Sequence, residues 1–335
     1  MASLAVILLV GVPCSILPSR GIGMSHQLRH FDSSRFVLPV VGMLAIFASA
    51  AVAQSTEPES EPPLDVDALA VLTDRPVLDV TLGIWFPRLE GTINIGPNGT
   101  DLDVGDDLSL DDSQAIFNGE ARVQSGRWEF LLGGYVVNAT GNATLTGPTR
   151  IGGLFAPAGT AVDSSVDVWS ITGEIAYSIF TPFRDRRFAW SDPVDRSKGN
   201  RTSDGRPIID LRFEVLFGTR FINLEQEYDL AGIGTVGTNN TWVSPYLGVG
   251  IELDWDTRET LGFLDRIAFD VTAGWGPAFA GGNSSLTIRV DGAFYVTRDL
   301  ALTLGYRLND FDLARDETAY NGGLQGLFAG VRYTW

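Results

Sequence analysis

The chain has 335 residues, of which 41 are acidic and 24 are basic, giving a formal net charge of −17. A chain this acidic is a poor match for the phosphates of DNA or RNA, so we expect no nucleic-acid partner. Its single cysteine and both histidines, Cys14, His26 and His30, lie close to the N-terminus.

A signal peptide is predicted over residues 1–53. An uncharged run that begins at Phe36 ends in Ala-Val-Ala at Ala53, the small-residue pattern of a cleavage site. Cleavage is expected after Ala53, with Met24 as an alternative start of translation, and a retained N-terminal anchor is the other interpretation. Residues 54–76 are rich in Pro, Glu and Ser and are predicted to form a disordered periplasmic leader.

Removal of the signal peptide determines which chemistry is open to the mature protein. No cysteine or histidine follows residue 53, and the only lysine is Lys198. Disulfides, thiol nucleophiles and zinc sites built on Cys or His are therefore excluded. Histidine is also the usual proton carrier near neutral pH, and no carboxylate pair stands out by its spacing as a glycosidase pair. We expect a protein that is not an enzyme and has no cofactor.

Residues 77–335 are predicted to fold as one domain of β-strands. Ten segments show the two-residue period of a strand that has one face in an apolar medium. The predicted strands cover 78–88, 115–125, 127–138, 166–180, 208–222, 241–255, 265–276, 285–296, 300–309 and 325–335. When the apolar phase of each segment points outward, no charged residue lies outward in the middle of any of them.

A lipid environment accounts for the absence of charged residues from this outward face. In the sixth predicted strand, Val249 and Ile251 point outward, while Gly248, Gly250 and Glu252 point inward. A charged side chain at the bilayer midplane costs about 2–4 kcal/mol, which excludes charge from such a face. A soluble β-sandwich or lipocalin-like barrel would instead need a polar exterior with more lysine. The pattern predicts an all-β, antiparallel, up-and-down transmembrane β-barrel of about ten strands, with about eight to twelve as the range.

The strand count assigns the connections by parity, with both termini in the periplasm. Outer loops are predicted at 89–114, 139–165, 223–240, 277–284 and 310–324, and periplasmic turns near 126, 181–207, 256–264 and 297–299. The 181–207 connection contains the basic residues Arg184, Arg186, Arg187, Arg196, Lys198, Arg201 and Arg206. We interpret it as an ordinary solvated loop. The alternative is a periplasmic contact with the anionic cell wall or with a partner.

The first predicted outer loop is dense in aspartate. Its acidic residues are Asp101, Asp103, Asp106, Asp107, Asp111 and Asp112. Carboxylate oxygens are suitable ligands for Ca²⁺, but the spacing does not follow the EF-hand loop. We predict a solvating acidic loop without a specific metal site, and the alternative is a metal site built from Asp101, Asp103, Asp106 and Asp107.

Charged residues on the inward faces form the candidate site. The predicted lumen charge network consists of Asp79, Glu120, Arg122, Arg127, Glu129, Glu174, Asp210, Arg212, Glu214, Arg220, Glu252, Asp254, Asp270, Arg289, Asp291, Arg307 and Arg332. Arginine pairs well with carboxylates, and about ten strands enclose at most a narrow passage.

These observations favour one function and leave two alternatives. We expect an integral outer-membrane barrel with a charge-paired, largely filled lumen and a structural or surface role. The alternatives are a narrow porin-like channel for small solutes, and surface adhesion or lipid handling through the outer loops.

Short motifs resemble a known group of proteins. They are Ile84-Trp85-Phe86-Pro87, Glu90-Gly91-Thr92, Gly119-Glu120-Ala121-Arg122, Gly126-Arg127-Trp128 and Gly305-Tyr306-Arg307-Leu308-Asn309-Asp310. In order and spacing they resemble poorly characterised small outer-membrane β-barrel proteins of Gram-negative-type bacteria, within the OmpA-like and porin-like barrel superfamily. The resemblance spans most of residues 78–335. It implies the fold and an outer-membrane location, without chemistry to transfer.

The C-terminus is similar to the aromatic-ended assembly signal of such barrels. Val331, Tyr333 and Trp335 alternate up to the end of the chain. The resemblance implies two partners, the barrel-assembly machinery during insertion and outer-membrane lipid afterwards.

Overall fold

The computed structural model describes residues 76–96, 98–183, 208–279, 283–315 and 318–335, and its regular elements in these ranges are β-strands. In chain order they are β1 (Val77–Ile95), β2 (Leu102–Asp103), β3 (Ile116–Ser125), β4 (Trp128–Thr144), β5 (Thr149–Ile151), β6 (Leu154–Ala156), β7 (Ala161–Phe180), β8 (Ile209–Leu230), β9 (Gly234–Asp256), β10 (Arg266–Ala278), β11 (Asn283–Tyr295), β12 (Leu300–Arg315) and β13 (Thr318–Thr334). No helix in these ranges is long and apolar enough to span a membrane. The predicted signal peptide, all but the last residue of the leader and most of the basic 181–207 connection lie outside the described residues.

The long strands form a closed antiparallel barrel. Each long strand pairs with the next one along the chain, and β13 returns to pair with β1 from Asp79–Thr334 to Ile95–Thr318. The short strands β2, β5 and β6 belong to the outer connections. Closure pairs the backbone groups that a sheet edge would leave open, which a β-structure requires inside lipid. The predicted up-and-down barrel of ten strands is confirmed.

An apolar belt surrounds the barrel. The outward side chains of Val249 in β9 and Leu327 in β13 are 62% and 66% exposed. Leu82, Phe217 and Leu304 are exposed in the same way on β1, β8 and β12. Large apolar side chains arranged in such a belt need lipid around them. A closed barrel with this belt is an integral outer-membrane β-barrel, and we call the end that holds its termini the periplasmic end.

The strands continue well past the belt at the outer end. β8 runs to Leu230 and β9 begins at Gly234, so three residues connect them. The outer loops predicted at 139–165, 223–240 and 310–324 are therefore too long, because the long strands extend into both ends of each range.

At the outer edge of the belt, the inward face of the sheet becomes apolar and the outward face becomes polar. In β8, Leu224, Tyr228 and Leu230 still point inward but are apolar, while Glu225 and Glu227 point outward into solvent. Above the lipid the barrel is thus a water-facing β-structure with an apolar interior. A strand assignment that keeps apolar residues outward stops where this exchange begins, which explains the short predicted strands.

One strand does not reach the outer end, and a loop takes its place. β3 begins at Ile116, whereas its neighbours β1 and β4 extend to Ile95 and Thr144. Residues 98–115, which we call the outer strap, lie in this gap. On one side β2 pairs with β1, and on the other the carbonyl of Leu108 accepts a hydrogen bond of 3.1 Å from Ser164 Oγ.

The outer strap is packed rather than merely solvated. Its buried apolar side chains are Leu102, Val104, Leu108 and Leu110. The backbone passes so close to β4 that a Cβ on Gly141 would lie 2.1 Å from the carbonyl oxygen of Leu108. The aspartates alternate with these apolar residues, so one face of the strap joins the core while the other faces water.

Candidate functional site

The interior of the barrel is the candidate site, and it has two layers. At the height of the belt lies the charged layer, formed by Glu120, Arg122, Glu129, Glu174, Asp210, Arg212, Glu214, Glu252, Asp254, Asp270, Arg289, Asp291, Arg307 and Arg332. Above it lies the outer core, a cluster of buried apolar residues that includes Trp85, Tyr135, Trp242, Phe311 and Phe328. The strand period places both sets inside, because residues two apart share a face.

Two arginines join carboxylates from different strands in the charged layer. Arg307 Nη1 donates a hydrogen bond of 2.6 Å to Glu120 Oε1, and Arg307 Nη2 lies 3.5 Å from Asp291. Arg289 Nε lies 3.4 Å from Asp270 and 3.7 Å from Asp291. Arg307 stands on β12 and Glu120 on β3, which are not neighbours, so this ion pair crosses the lumen.

Arg122 extends the same network. Its Nε lies 3.1 Å from Glu129, and its Nη1 donates a hydrogen bond of 3.2 Å to Asp270 Oδ2. All three side chains are buried. Because Asp270 is shared with Arg289, the two groups form one continuous network. Removing one member of such a buried set leaves an uncompensated charge, which is strongly destabilising.

A second group of ion pairs lies nearer the periplasmic end. Arg212 Nη1 donates a hydrogen bond of 3.0 Å to Glu252 Oε2, and its Nη2 lies 4.0 Å from Asp254. Arg266 Nε lies 3.6 Å from Asp254, and the guanidinium carbon of Arg266 lies 3.8 Å from the centre of the Tyr295 ring. Arg266 was not among the predicted lumen residues. Arg266 lies on the same strand as Asp270 and on the same face. The two-residue period of the strand could therefore have identified it as a lumen residue.

Several predicted lumen residues bond to neutral groups. Asp79 accepts from Thr334 Oγ1, Arg127 donates to the Ser178 carbonyl, Glu214 accepts from Ser178 Oγ, Arg220 donates to Thr172 Oγ1 and Arg332 donates to Thr81 Oγ1. Asp210 lies 3.5 Å from Arg212 Nε. Alternation assigns a side chain to the inward face, but its height along the barrel and its partner depend on strand register.

Neutral side chains also belong to the charged layer. The sequence did not point to them, because the predicted network contained only charged residues. Tyr246 donates a hydrogen bond of 2.7 Å from its hydroxyl to Glu174 Oε2. Asn118 Oδ1 accepts a hydrogen bond of 2.7 Å from Arg307 Nη1. These neutral groups add hydrogen bonds to the ion pairs of the charged layer.

The outer core closes the lumen above the charged layer. Trp85, Trp242, Phe311 and Phe328 are each no more than 2% exposed. A cavity within this core measures about 10 Å³, which is room for about one water molecule. Burial in the same core raises the pKa of Tyr228, so its hydroxyl stays neutral.

The aspartates of the outer strap hold their own loop together. Asp103 Oδ1 accepts hydrogen bonds of 3.0 Å from the backbone amides of Gly105 and Asp106. Asp107 Oδ2 accepts one of 2.9 Å from the amide of Asp103, and Asp101 accepts one of 2.7 Å from Asn94. Within the described ranges, no group of three or more His, Cys, Asp or Glu side chains is arranged to hold a metal ion.

The residues of the predicted assembly signal lie on the outward face. Val331, Tyr333 and Trp335 are exposed, and the ring centres of Tyr333 and Trp335 are 4.4 Å apart. Recognition by an assembly machinery stays a prediction.

Comparisons with known proteins find similarity at the level of solved structures. No protein-family model matches the chain, and no curated protein matches it. The outer-membrane protease OmpT from Escherichia coli is 11% identical with a TM-score of 0.41, over 84% of this chain and 100% of that one. Ail, the attachment invasion locus protein of Yersinia pestis, is 10% identical with a TM-score of 0.31, over 78% and 99% of the two chains. Neisserial surface protein A is 13% identical with a TM-score of 0.26, over 77% and 96%. These values are too low to transfer an activity, a ligand or a residue's role.

Proposed function

We propose that this protein is a non-conducting outer-membrane barrel with a structural or surface role. The observation that supports the proposal is that the lumen is filled at two heights. The charged layer fills it at the level of the membrane, and the outer core fills it above. A solute would have to displace both layers to cross.

The pairing within the charged layer supports a fixed plug over a selectivity filter. A conducting pore needs polar groups that are free to replace the hydration of the passing ion. Here the carboxylates of Glu120, Asp270 and Glu252 each have an arginine within hydrogen-bonding distance. Polar groups that already bind one another are poor substitutes for water.

Planar-bilayer recording of the purified barrel tests the proposal. We expect no stable unitary conductance in the wild-type protein, with insertion verified in the same preparation by heat-modifiable gel migration and flotation with liposomes. The triple variant Arg212→Ala, Arg289→Ala, Arg307→Ala should be less stable and should leak cations, because its carboxylates lose their partners. A well-resolved unitary conductance in the wild type would reject the plug in favour of the narrow-channel alternative.

A surface role would act through the part of the barrel that lies above the belt, which includes β8 beyond Leu224 and β9 before Trp242 and which we call the outer extension. Its β7–β8 face carries Asp163, Asp167, Glu225, Glu227 and Asp229 on neighbouring rigid strands. A long-range field of this sign attracts cationic partners and repels anionic ones. The variant Asp163→Asn, Glu227→Gln, Asp229→Asn should lower adhesion of expressing cells to a cationic surface without lowering membrane yield. Unchanged adhesion would remove this face from the proposed surface role.

A further inference from the structure

One strand of the outer extension is paired on one side only. On its first side, β9 pairs with β8 along its whole outer half, as far as Gly234 opposite Leu230. On its other side, β10 and the single bridge from Phe279 reach no further than Val243 of β9. Among the described residues, no strand pairs with this second side from Gly234 to Asn240. We call this stretch the open edge.

Alternate residues of β9 direct their backbone groups to the open edge. The carbonyl of Val243 accepts a hydrogen bond of 3.0 Å from the amide of Phe279, on the side of β10. Backbone groups alternate between the two sides of an antiparallel strand, so Thr235, Gly237 and Asn239 point the same way as Val243. Their N–H and C=O groups have no backbone partner in the part of the chain that the structure describes.

The open edge lacks the features that usually protect an exposed strand. Its sequence from Gly234 to Asn240 contains no proline and no charged residue, and its odd-numbered residues are all exposed. Arg315 Nη1 donates a hydrogen bond of 2.7 Å to the carbonyl of Thr241, which marks the end of the edge nearer the membrane. An unprotected edge of this kind is a template for an added strand.

The surface beside the open edge is acidic. On β8, Glu225 accepts a hydrogen bond of 2.9 Å from Asn239 Nδ2. Glu227 lies opposite Gly237, which has no side chain to offer it. A strand added beside β9 would lie two strand spacings from β8, about 10 Å. An outward lysine or arginine opposite Gly237 can cross that glycine and meet Glu227, because it has both the length and the charge.

We propose that the open edge binds an extended, basic segment of another protein as an added antiparallel strand. The proposal rests on the proposed surface role and names the kind of partner. The backbone groups of Thr235, Gly237 and Asn239 supply the affinity, and a basic side chain that meets Glu227 supplies the specificity. A second copy of this chain would bring its own acidic β8 face to the same edge, which like charges disfavour.

Binding of a synthetic peptide to the refolded barrel in detergent tests the proposal. The fluorescent peptide alternates valine with threonine, spans the open edge and carries one central lysine in place of a threonine. We expect saturable binding by fluorescence anisotropy. N-methyl groups on the lysine and threonine nitrogens, which face the edge, should weaken binding about tenfold or more. N-methyl groups on the valine nitrogens face away and serve as the matched control.

Gly237→Pro tests the edge from the side of the barrel. The N–H of Gly237 points away from β8, so a proline there removes no bond of the barrel and blocks pairing with an added strand. We expect Gly237→Pro to lose binding of the lysine peptide, whereas the control Gly237→Ala keeps the N–H and should bind. Glu227→Gln should reduce the preference for lysine over a glutamate in the peptide by about threefold.

The outcomes separate this proposal from the proposed function. Adhesion to a cationic surface tests the acidic face, whereas the two N-methylated peptides test backbone pairing, so either result can fail without the other. Absent binding of the lysine peptide, or equal binding of the two N-methylated peptides, would overturn the added strand. These peptides decide the result on the wild type even if Gly237→Pro does not fold. A wild-type dimer that Gly237→Pro makes monomeric would identify a second copy as the occupant and overturn the basic partner.

Discussion

The guanidinium carbon of Arg307 lies 3.9 Å from the centre of the Phe328 ring, and this contact joins the two layers of the interior. Arg307 belongs to the charged layer through its 2.6 Å hydrogen bond to Glu120. Phe328 belongs to the outer core and is 1% exposed. A cation over an aromatic face is favourable by about 0.5–2 kcal/mol, so the boundary between charge and hydrocarbon is itself a stabilising contact.

Replacing Arg307 should therefore affect stability more than any change at an exposed arginine. Arg307→Met removes the cation that is hydrogen-bonded to Glu120 and leaves Arg289 alone beside both Glu120 and Asp291. The layer then holds uncompensated negative charge, and we expect a loss of about 3–5 kcal/mol in the free energy of unfolding. Arg150 is exposed, so the control Arg150→Met should stay within about 0.5 kcal/mol of wild type. Urea unfolding in detergent, followed by tryptophan fluorescence, measures both. A loss under about 1 kcal/mol in Arg307→Met would show that the ion pair does not stabilise the barrel.

The effect of an arginine substitution on insertion should depend on its position along a strand, because only part of each strand lies in the apolar belt. Val249→Arg places a charge on the lipid face in the middle of β9, and we expect insertion to weaken by about 2–4 kcal/mol. Thr235→Arg is the matched control, because Thr235 lies outward on the same strand beyond the belt and opposite Asp229. The folded fraction on heat-modifiable gels after refolding into liposomes separates the two. Equal folding of both variants would place the lipid boundary elsewhere on β9.

The outer strap should behave as a folded part of the barrel. Leu108 is fully buried, and Leu108→Ala should cost about 2–5 kcal/mol through the cavity that it leaves. Digestion with a protease that cuts before aspartate, with the cut sites identified by mass spectrometry, reports on the strap, because the strap contains several aspartates. We expect Leu108→Ala to be cut much faster than wild type. Asp106→Ala is the control, because Asp106 is exposed, and rapid cutting of the wild type would contradict a packed strap.

Asp310 should make the outer extension more stable in mild acid. Partial burial, with the nearby charge of Asp312 adding to it, raises the pKa of Asp310 above the usual aspartate value of about 3.9. The folded state then binds this proton more tightly than the unfolded state. The ionised side chain of Asp310 therefore destabilises the folded state at pH values above its raised pKa. This destabilisation disappears as the pH falls through the raised pKa to the pKa of the unfolded chain.

Asp310→Asn tests the sign of that effect. The variant should be more stable than wild type at pH 7.5 and should lose this advantage near pH 4. Unfolding midpoints at the two pH values give the difference directly. Asp312→Asn should also stabilise the protein at pH 7.5, since it removes the repelling charge. A variant Asp310→Asn that is less stable than wild type at pH 7.5 would contradict the burial argument.

Sequence periodicity predicted the membrane part of the fold because lipid imposes a strict rule on one face. Val249 and Leu327 could be assigned outward since no charge is tolerated there. The same rule failed beyond the belt, where Glu225 and Glu227 point outward in water. The strand continues with the same phase, but the chemistry of its two faces is exchanged. A pattern that identifies strands by apolar outward residues cannot follow them past that point.

Sequence periodicity also predicted only part of the candidate site. Alternation determined that Arg122, Asp270 and Arg220 point into the lumen, because side chains two residues apart share a face. It could not determine that Arg122 meets Asp270, since β3 and β10 come together only when the barrel closes.

The sequence by itself determined the kind of fold, the face that meets lipid and the absence of histidine and cysteine after residue 53. These depend on local composition and on a period of two, which a single strand already contains. Only the tertiary structure decided the ion-pair partners, the filled lumen, the outer core and the packing of the outer strap in the gap above β3. Those depend on barrel closure and strand register, because ring closure brings strands that are distant in sequence to the same height around one interior.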